Sequence, residues 1–466
     1  MKFLFLLLGT YLYASSVLTS LVSKNEFHLL EKSETANLKL VKQKGEFAMA
    51  ALSNKESELV WSRQFHIVEF GDINDRSIDA DKIRKAGLTS IEHRLGYDWM
   101  PAFYYYPTVK NAPFSQWIYD NRKKMTLNPD GPFPHCIENH YDWGQEYYYN
   151  LANQELMSKR AKQLQIDMKR SGLNGLFFDW ADGGYIEEPE YKKMLQNFKD
   201  FNSTKNYYDL IGDFYKSLRE SGIFFITNQA FRKNKYLLPN VTYDMTESYI
   251  TSVKKVKIPI QIENQGWVDS IETTNYFPIF TDSKTIDDSI KEIDILTAYK
   301  EQYKKFGFKN FIYLNYLGPK YELLYPSSKV YHLSKPKNGI YYSYAMGKLT
   351  NNIVYAQVPY DTSLERDDVY FYDLAKPLDK SYVKVDAIHG YIRFFTKGFV
   401  LVSSPNSGVK YLKISSKWLK PNALIYDVYT NQWLHCLKKE VVVKLKYEKD
   451  TLDGKPLPLG RVYLYH

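Results

Sequence analysis

Between about residue 61 and residue 325, short runs of β-branched and aromatic residues alternate with longer amphipathic stretches. Phe65–His66–Ile67–Val68–Glu69–Phe70 reads as a first strand, followed by a helical stretch from Ile78 to Ala86 that stops at Gly87. Phe103 to Tyr106 is a further short extended run. A long helix is expected from Asn153 to Ser171, ended by Gly172, and Gly175 to Phe178 is a buried strand with Asp179 at its end. The alternation continues with a helix over Tyr207 to Glu220, a strand from Phe224 to Thr227 ending in Asn228, and one from Tyr243 to Thr246 ending in Glu247. Ile258 to Ile262 ends in Glu263, a helix runs from Asp287 to Lys305, and Phe311 to Leu314 ends in Asn315. Buried strands alternating with amphipathic helices predict an α/β fold with a parallel sheet.

Polar residues fall repeatedly at strand C-termini, where the loops of a closed barrel converge. An open doubly wound sheet places its sites at the same ends. No Gly-rich phosphate loop is present, and the number of units suits a closed (β/α)8 barrel over residues 61–335. From 336 to 466 the helical pattern disappears. Ile340–Tyr344, Ile353–Gln357, Val369–Tyr372, Tyr391–Phe395, Phe399–Ser403, Leu424–Tyr429, Val441–Tyr447 and Arg461–Tyr465 read as strands. Turn residues such as Lys397–Gly398 and Asp453–Gly454 separate them; membership of the barrel stays open for part of this region, and the rest predicts a C-terminal antiparallel β-sandwich. Residues 15–60 form a polar, Lys/Glu-rich lead-in with weak helical periodicity around Phe27 to Leu40.

The N-terminus has its own pattern. Lys2 precedes a fully apolar run from Phe3 to Leu8, and Ala14, Ser15 and Ser16 follow as small residues. That order is expected of a secretory signal peptide over residues 1–14, and hence of an exported protein, periplasmic or extracellular. The apolar run is short for a bilayer span, and no later stretch is apolar enough for one. The two cysteines, Cys136 and Cys436, are far apart, and two unpaired buried thiols are expected.

Composition changes the picture in one respect. With 42 Tyr, 26 Phe and 8 Trp, aromatic residues make up 16% of the 466-residue chain, which suits either Tyr- and Phe-built cores or a groove whose rings cover the faces of sugars. The net charge of +9 is spread over 62 basic and 53 acidic residues without a dense basic run, so nucleic acid is not an expected partner.

Glycoside hydrolysis uses two carboxyl groups flanking one bond. Asp179 and Glu247 are the candidates. Each follows a short apolar strand and is expected to emerge at the barrel mouth. A single acid at a strand end is ordinarily a helix cap or a loop ion pair. Asp179, Asn228, Glu247, Glu263 and Asn315 all ending strands of one α/β region points instead to a polar pocket floor. Around them Glu69, Asp72, Arg94, Tyr97, Asp98, Trp99, Trp180, Asp182, Tyr185, Arg232, Asp244, Tyr249 and Trp267 are candidates for binding substrate. No His-Glu-x-x-His segment, paired-Cys spacing, Gly-x-Ser-x-Gly elbow or Walker-type loop occurs. Neither a metal nor another cofactor is expected.

Gly172–Leu173–Asn174–Gly175–Leu176–Phe177–Phe178–Asp179–Trp180 resembles the glycine-x-Asp/Asn-glycine-apolar-Phe-x-Asp strand of glycoside hydrolase family 114, the endo-α-1,4-polygalactosaminidases, and of related hypothetical glycosyl hydrolase barrels. In those families an Asn-bearing segment follows one strand later, then a Glu-bearing one. Phe225–Ile226–Thr227–Asn228–Gln229–Ala230 and Asp244–Met245–Thr246–Glu247–Ser248 occupy those places here. The resemblance implies a (β/α)8 barrel with Asp179 and Glu247 as the two catalytic carboxylates. Trp180 stands where the family has a polar residue, and an appended β-domain is not general to the family. That domain is similar to the C-terminal sandwich of many α-glycan hydrolases at Arg393–Phe394–Phe395 and Gly398–Phe399–Val400–Leu401–Val402. The expected activity is cleavage of a polysaccharide or oligosaccharide by two carboxylates, retaining or inverting, with Asp179 as nucleophile or base and Glu247 as acid, or the reverse. The alternative is a non-catalytic polysaccharide-binding or envelope-assembly protein on the same barrel. A sugar deacetylase would require a metal cluster that the sequence lacks.

Overall fold

The computed structural model describes residues 17–31, 35, 38–50, 56–74, 78–106, 110–131, 145–187, 192–201, 205–247, 251–262, 266–278, 283–319, 336–358, 363, 366–449 and 454–466. Eight strands make the principal sheet: β1 (Gly45–Met49), β2 (Phe65–Asp72), β3 (His93–Trp99), β4 (Gly175–Asp179), β5 (Phe224–Asn228), β6 (Tyr243–Glu247), β7 (Asn310–Tyr316) and β8 (Ile353–Gln357). They lie side by side in chain order as a parallel, nearly closed barrel with helices, and antiparallel sheets follow toward the C-terminus. The expected fold class is therefore observed. By contact density the chain forms two compact units. One is Glu46–Glu247 with Ile295–Ile312; the other is Met1–Gly45 with Ser248–Asp294 and Tyr313–His466.

In the first unit, the period of two along each strand decides which side chains face the barrel axis. Leu95 of β3, Gly175 of β4 and Phe224 of β5 share one register row. Two residues on, Tyr97, Phe177 and Ile226 share the next, and the Tyr97 and Phe177 rings stack at 5.9 Å. The intervening Phe178 faces the other way, against Phe214 and Tyr215 of the helix Tyr207–Glu220. Asp98 likewise turns outward to Arg160 of the helix Gln154–Ser171. Odd-numbered positions Tyr97, Phe177 and Asp179 thus look inward, and Asp179 is the last of them on its strand.

The helix Gln154–Ser171 begins where Asn153 Oδ1 accepts the Leu156 N–H, and its basic Lys169 and Arg170 sit in the last turn, where the helix dipole favours them. It ends at Gly172, whose φ of 76° lies in the left-handed region and whose N–H closes onto the Met168 carbonyl. A Cβ there would meet the Ala80 Cα at 2.7 Å, and one at Gly175 would meet a Leu95 methyl at 2.6 Å. Both motif glycines are thus explained by backbone shape and close packing. Gly172→Ala is expected to lower stability by about 1–3 kcal/mol. An unchanged urea midpoint would contradict this.

Besides a three-stranded sheet of Thr251–Ile262, Gly266–Pro278 and Gly318–Pro319, the second unit carries a six-stranded and another three-stranded antiparallel sheet. Val17–Leu21 pairs with Tyr411–Ser416, which pairs in turn with Glu440–Lys444. Side chains from both sheets, among them Val17, Phe394, Phe399, Leu412, Ile414, Val443 and Tyr463, form one buried cluster.

Several local expectations are corrected. Ile340–Tyr344 is not a strand but part of the helix Pro336–Leu349. That helix is buried on all sides from Asn338 to Leu349, so no polar face reveals its period. Val369–Tyr372 is mostly a 3-10 turn, Asp368–Phe371, capped by Asp367. Phe103–Tyr106 contributes no barrel strand: Ala102–Tyr105 pairs antiparallel with Gln145–Tyr148. Ile258–Ile262 belongs to the hairpin Thr251–Ile262 and Gly266–Pro278, again antiparallel. An alternating run states that a strand exists, not which sheet receives it. The segment 1–14 and Cys136 lie outside the described residues; Cys436 is a buried free thiol. Among the described residues no helix is long and apolar enough to cross a membrane.

Candidate active site

Asp179, Asn228 and Glu247 are inward-facing terminal residues of three neighbouring strands. Asn228 is buried, and its amide nitrogen donates to Asp179 Oδ1 at 2.8 Å and to Glu247 Oε1 at 2.7 Å. Both carboxyls remain partly exposed, so they form an open floor bridged from beneath. The two bonded oxygens can be no farther apart than those bonds laid end to end, 2.8 plus 2.7 or about 5.5 Å, so one donor group holds both acids at the same place. Because both amide hydrogens face acceptors, Asn228 Oδ1 points away, and it is buried without a hydrogen-bond partner among the described residues.

Asp179 receives a second donor from the Tyr97 hydroxyl, at 2.8 Å from Oδ2. Burial and the adjacent Asp179 charge push the Tyr97 hydroxyl well above its ordinary range, so it remains a donor. Tyr97 also meets Trp99 edge to face at 5.1 Å, and Trp99 meets Trp180 at 4.4 Å and Tyr104 at 5.4 Å. These rings make an aromatic wall beside Asp179. Trp180 holds a φ of 50° and Gln229 one of 66°, so the chain turns through the left-handed region immediately after Asp179 and again after Asn228. Such backbone costs of order 1 kcal/mol or more per residue and clusters at functional sites.

Glu69 of β2 is a third acid close enough to feel the Asp179 charge. It is buried, its Oε1 accepts the Gly71 N–H at 2.5 Å, and burial, reinforced by the Asp179 and Asp72 charges, pushes its carboxyl up to about 7. The folded form therefore binds a proton that the unfolded chain releases near its ordinary value of 4.5. Stability is expected to fall as pH rises from about 4.5 to 7 and to stay lower above that. Glu69→Gln removes this slope, with a gain of at most about 3 kcal/mol at pH 8 and little change at pH 4.5. Parallel unfolding curves of both proteins at the two pH values test it.

The other predicted residues divide. Asp182 sits in the loop after β4, where it accepts the Gly184 N–H and lies 3.4 Å from Arg232. Burial raises its carboxyl against the pull of Arg232. Asp72 caps the next turn through the Asn74 N–H. Asp244 is not brought to the mouth. It faces outward from β6 and accepts from the Thr227 hydroxyl and the Ala230 and Phe231 N–H groups, fixing the loop behind Asn228. Burial pushes it up to about 7 against those three bonds. Arg94 lies at the opposite, N-terminal end of β3 and binds the Ile91 and Gly172 carbonyls. Asp98 pairs with Arg160 behind the strand. Asn315 is buried near the end of β7. Tyr249 and Glu263, and the side chains of Tyr185 and Trp267, lie outside the described residues. Sequence reasoning missed Tyr104 and Arg160. Tyr104 lies in an extended run whose sequence does not say which ring it meets, and an Arg within a helix gives no sign that it is buried. Among the described residues no cluster of His, Cys, Asp and Glu suits a metal ion.

No family model matches the chain, and no curated protein matches it in sequence. Similar solved structures include the glycoside hydrolase domain of PelA from Pseudomonas aeruginosa, 14% identical over 70% of this chain and 97% of that one, with a TM-score of 0.37. The α-amylase from Geobacillus thermoleovorans complexed with acarbose is 7% identical over 91% and 99%, with a TM-score of 0.47. The maltogenic α-amylase AmyB from Thermotoga neapolitana is 9% identical over 89% and 97%, with a TM-score of 0.45. These are likenesses of fold at low identity, to glycoside hydrolase barrels in general; no sequence match supports family 114 in particular.

Proposed function

We propose that the protein is a retaining glycoside hydrolase that acts on a polysaccharide outside the cytoplasm, and needs no metal. The observation that carries this reading is the single Asn228 amide that joins Asp179 and Glu247 at 2.8 and 2.7 Å on an open, aromatic-walled mouth. Asp179, oriented by two donors, is the nucleophile. Its Oδ attacks the anomeric carbon as the glycosidic bond breaks, and Glu247 gives its proton to the leaving oxygen. Glu247 then takes a proton from water, which attacks the same carbon and releases Asp179. Tyr97 and Asn228 hold the nucleophile's two oxygens in place through both steps. Location outside the cytoplasm rests on the Lys2, Phe3–Leu8 and Ala14–Ser16 pattern.

The test is a screen of the purified protein against neutral and amino-sugar glycans, beside Asp179→Asn and Glu247→Gln. Turnover by the wild type, lost in both variants, with a glycosyl adduct on Asp179 seen by mass spectrometry, is the expected result. Turnover that survives in both variants defeats the assignment. Glycan binding without turnover would favour the binding-protein alternative.

A further inference from the structure

A cavity of about 630 Å³ opens beside the mouth, within the size range of small-ligand sites. It shares Tyr97 and Trp99 with the aromatic wall, so its inner edge touches the residue that hydrogen-bonds Asp179. Its outer side is built by the excursion between β3 and the helix Gln154–Ser171. There the helix Pro113–Asp120 docks on the strand Ala102–Tyr105: the Tyr105 and Tyr119 rings stack at 3.7 Å, and the Tyr105 hydroxyl donates to Gln116 at 3.4 Å. Asn111 clasps Tyr106, its Oδ1 accepting the Tyr106 N–H at 2.8 Å and its Nδ2 donating to the Tyr106 carbonyl at 2.7 Å. These contacts set three partly exposed rings, Tyr104, Tyr106 and Phe114, along one side of the cavity.

Three acids, Asp72, Asp98 and Asp167, and two bases, Lys110 and Arg160, line the cavity, and Arg170 stands just outside the lining. Asp98 pairs with Arg160 at 2.7 Å, and Asp167 accepts from Gln163 at 2.9 Å and lies 3.5 Å from Arg170. Asp72 and Lys110 add one charge of each sign. With Arg170 beside Asp167 the acids and bases offset one another, and fixed rings in such a setting suit the C–H faces and hydroxyls of an uncharged sugar.

We propose that this cavity is a second sugar subsite, which takes an uncharged pyranose of the same glycan against Tyr104, Tyr106 and Phe114. It rests on the reading of the mouth as a glycan site, and it places uncharged glycans, N-acetylated ones included, ahead of free-amine and carboxylated polymers as substrates.

The test is calorimetric titration of the full chain bearing Asp179→Asn, which prevents turnover. The probes are cellohexaose, maltohexaose and N-acetylchitohexaose, against the chitosan hexamer and hexagalacturonate as charged counterparts. At least one neutral hexaose is expected to bind. Phe114→Ala and Tyr106→Ala should each weaken it about tenfold without lowering the melting temperature. No binding by any neutral hexaose, tighter binding of a charged oligomer, or affinity unmoved by both substitutions overturns the proposal. A Phe114→Ala variant that melts early is set aside in favour of Tyr106→Ala, at an exposed ring. The two readings fail separately. Binding that depends on these rings, with no hydrolysis by the wild type, would remove the hydrolase and keep the subsite. Hydrolysis with ring-independent binding would do the reverse.

Discussion

Asp179→Asn is expected to lower kcat/KM on a susceptible glycan by roughly 10³-fold or more, about 4 kcal/mol of transition-state stabilisation. The amide is close in shape to the carboxylate, so the Tyr97 and Asn228 contacts at 2.8 Å can largely persist, and the loss reports chemistry more than folding. An amide cannot form the glycosyl ester, so both steps of the retaining path are affected. Glu247→Gln should act differently. It removes proton delivery, worth roughly 10²–10⁴-fold, and the deficit should shrink with substrates whose leaving group needs no proton. Steady-state kinetics on a poor and an activated leaving group separate the two roles. Equal losses on both substrates for Glu247→Gln would reverse the assignment of acid and nucleophile.

Arg160→Met is expected to destabilise the first unit by about 3–5 kcal/mol, because it strands the buried Asp98 carboxylate. Arg160 is 1% exposed, bonds Asp98 at 2.7 Å and the Met100 and Trp99 carbonyls at 2.7 and 2.8 Å, and lies over the Tyr149 ring at 4.3 Å. Burial raises the Asp98 carboxyl while Arg160 pulls it down. Without the guanidinium Asp98 should take up a proton more readily, so the deficit should be smaller at pH 5 than at pH 8. Asp98→Leu together with Arg160→Met should recover part of the loss, since neither charge is then left alone. Urea unfolding of both single variants and the double variant measures this. Additive losses would show that the ion pair is not the source. Arg160 also fixes the carbonyls that follow Asp98, so the variant should loosen Trp99 at the mouth and weaken glycan binding even where it remains folded.

Much of the site was legible because strand ends are legible. Four apolar residues followed by an acid place Asp179 at a strand terminus. Asn228 and Glu247 follow one and two strands later, and parallel neighbours in chain order bring those termini to one end. Asp98 and Asp244 were read as groove residues from the same neighbourhood. The strand period sends them away from Asp179 and Glu247, Asp98 to Arg160 at the side of the neighbouring cavity and Asp244 to the loop after Asn228. One position in register separates a substrate ligand from a scaffold contact, and an unpaired strand sequence does not state its register.

By itself the amino-acid order determined the alternation of strand and helix, the capped ends at Asn153 and Gly172, and the two acids at strand termini. These are local properties, set by side-chain period and by backbone shape within a few residues. Only the tertiary structure decided that Ile340–Tyr344 is helical, that Thr251–Ile262 joins an antiparallel hairpin, and that one Asn228 amide holds both carboxyls. The physical reason is common to all three. Burial on every side erases the period that marks a helix, sheet partners come from distant segments, and hydrogen bonds of under 3 Å between separate strands exist only once the barrel has brought those strands together.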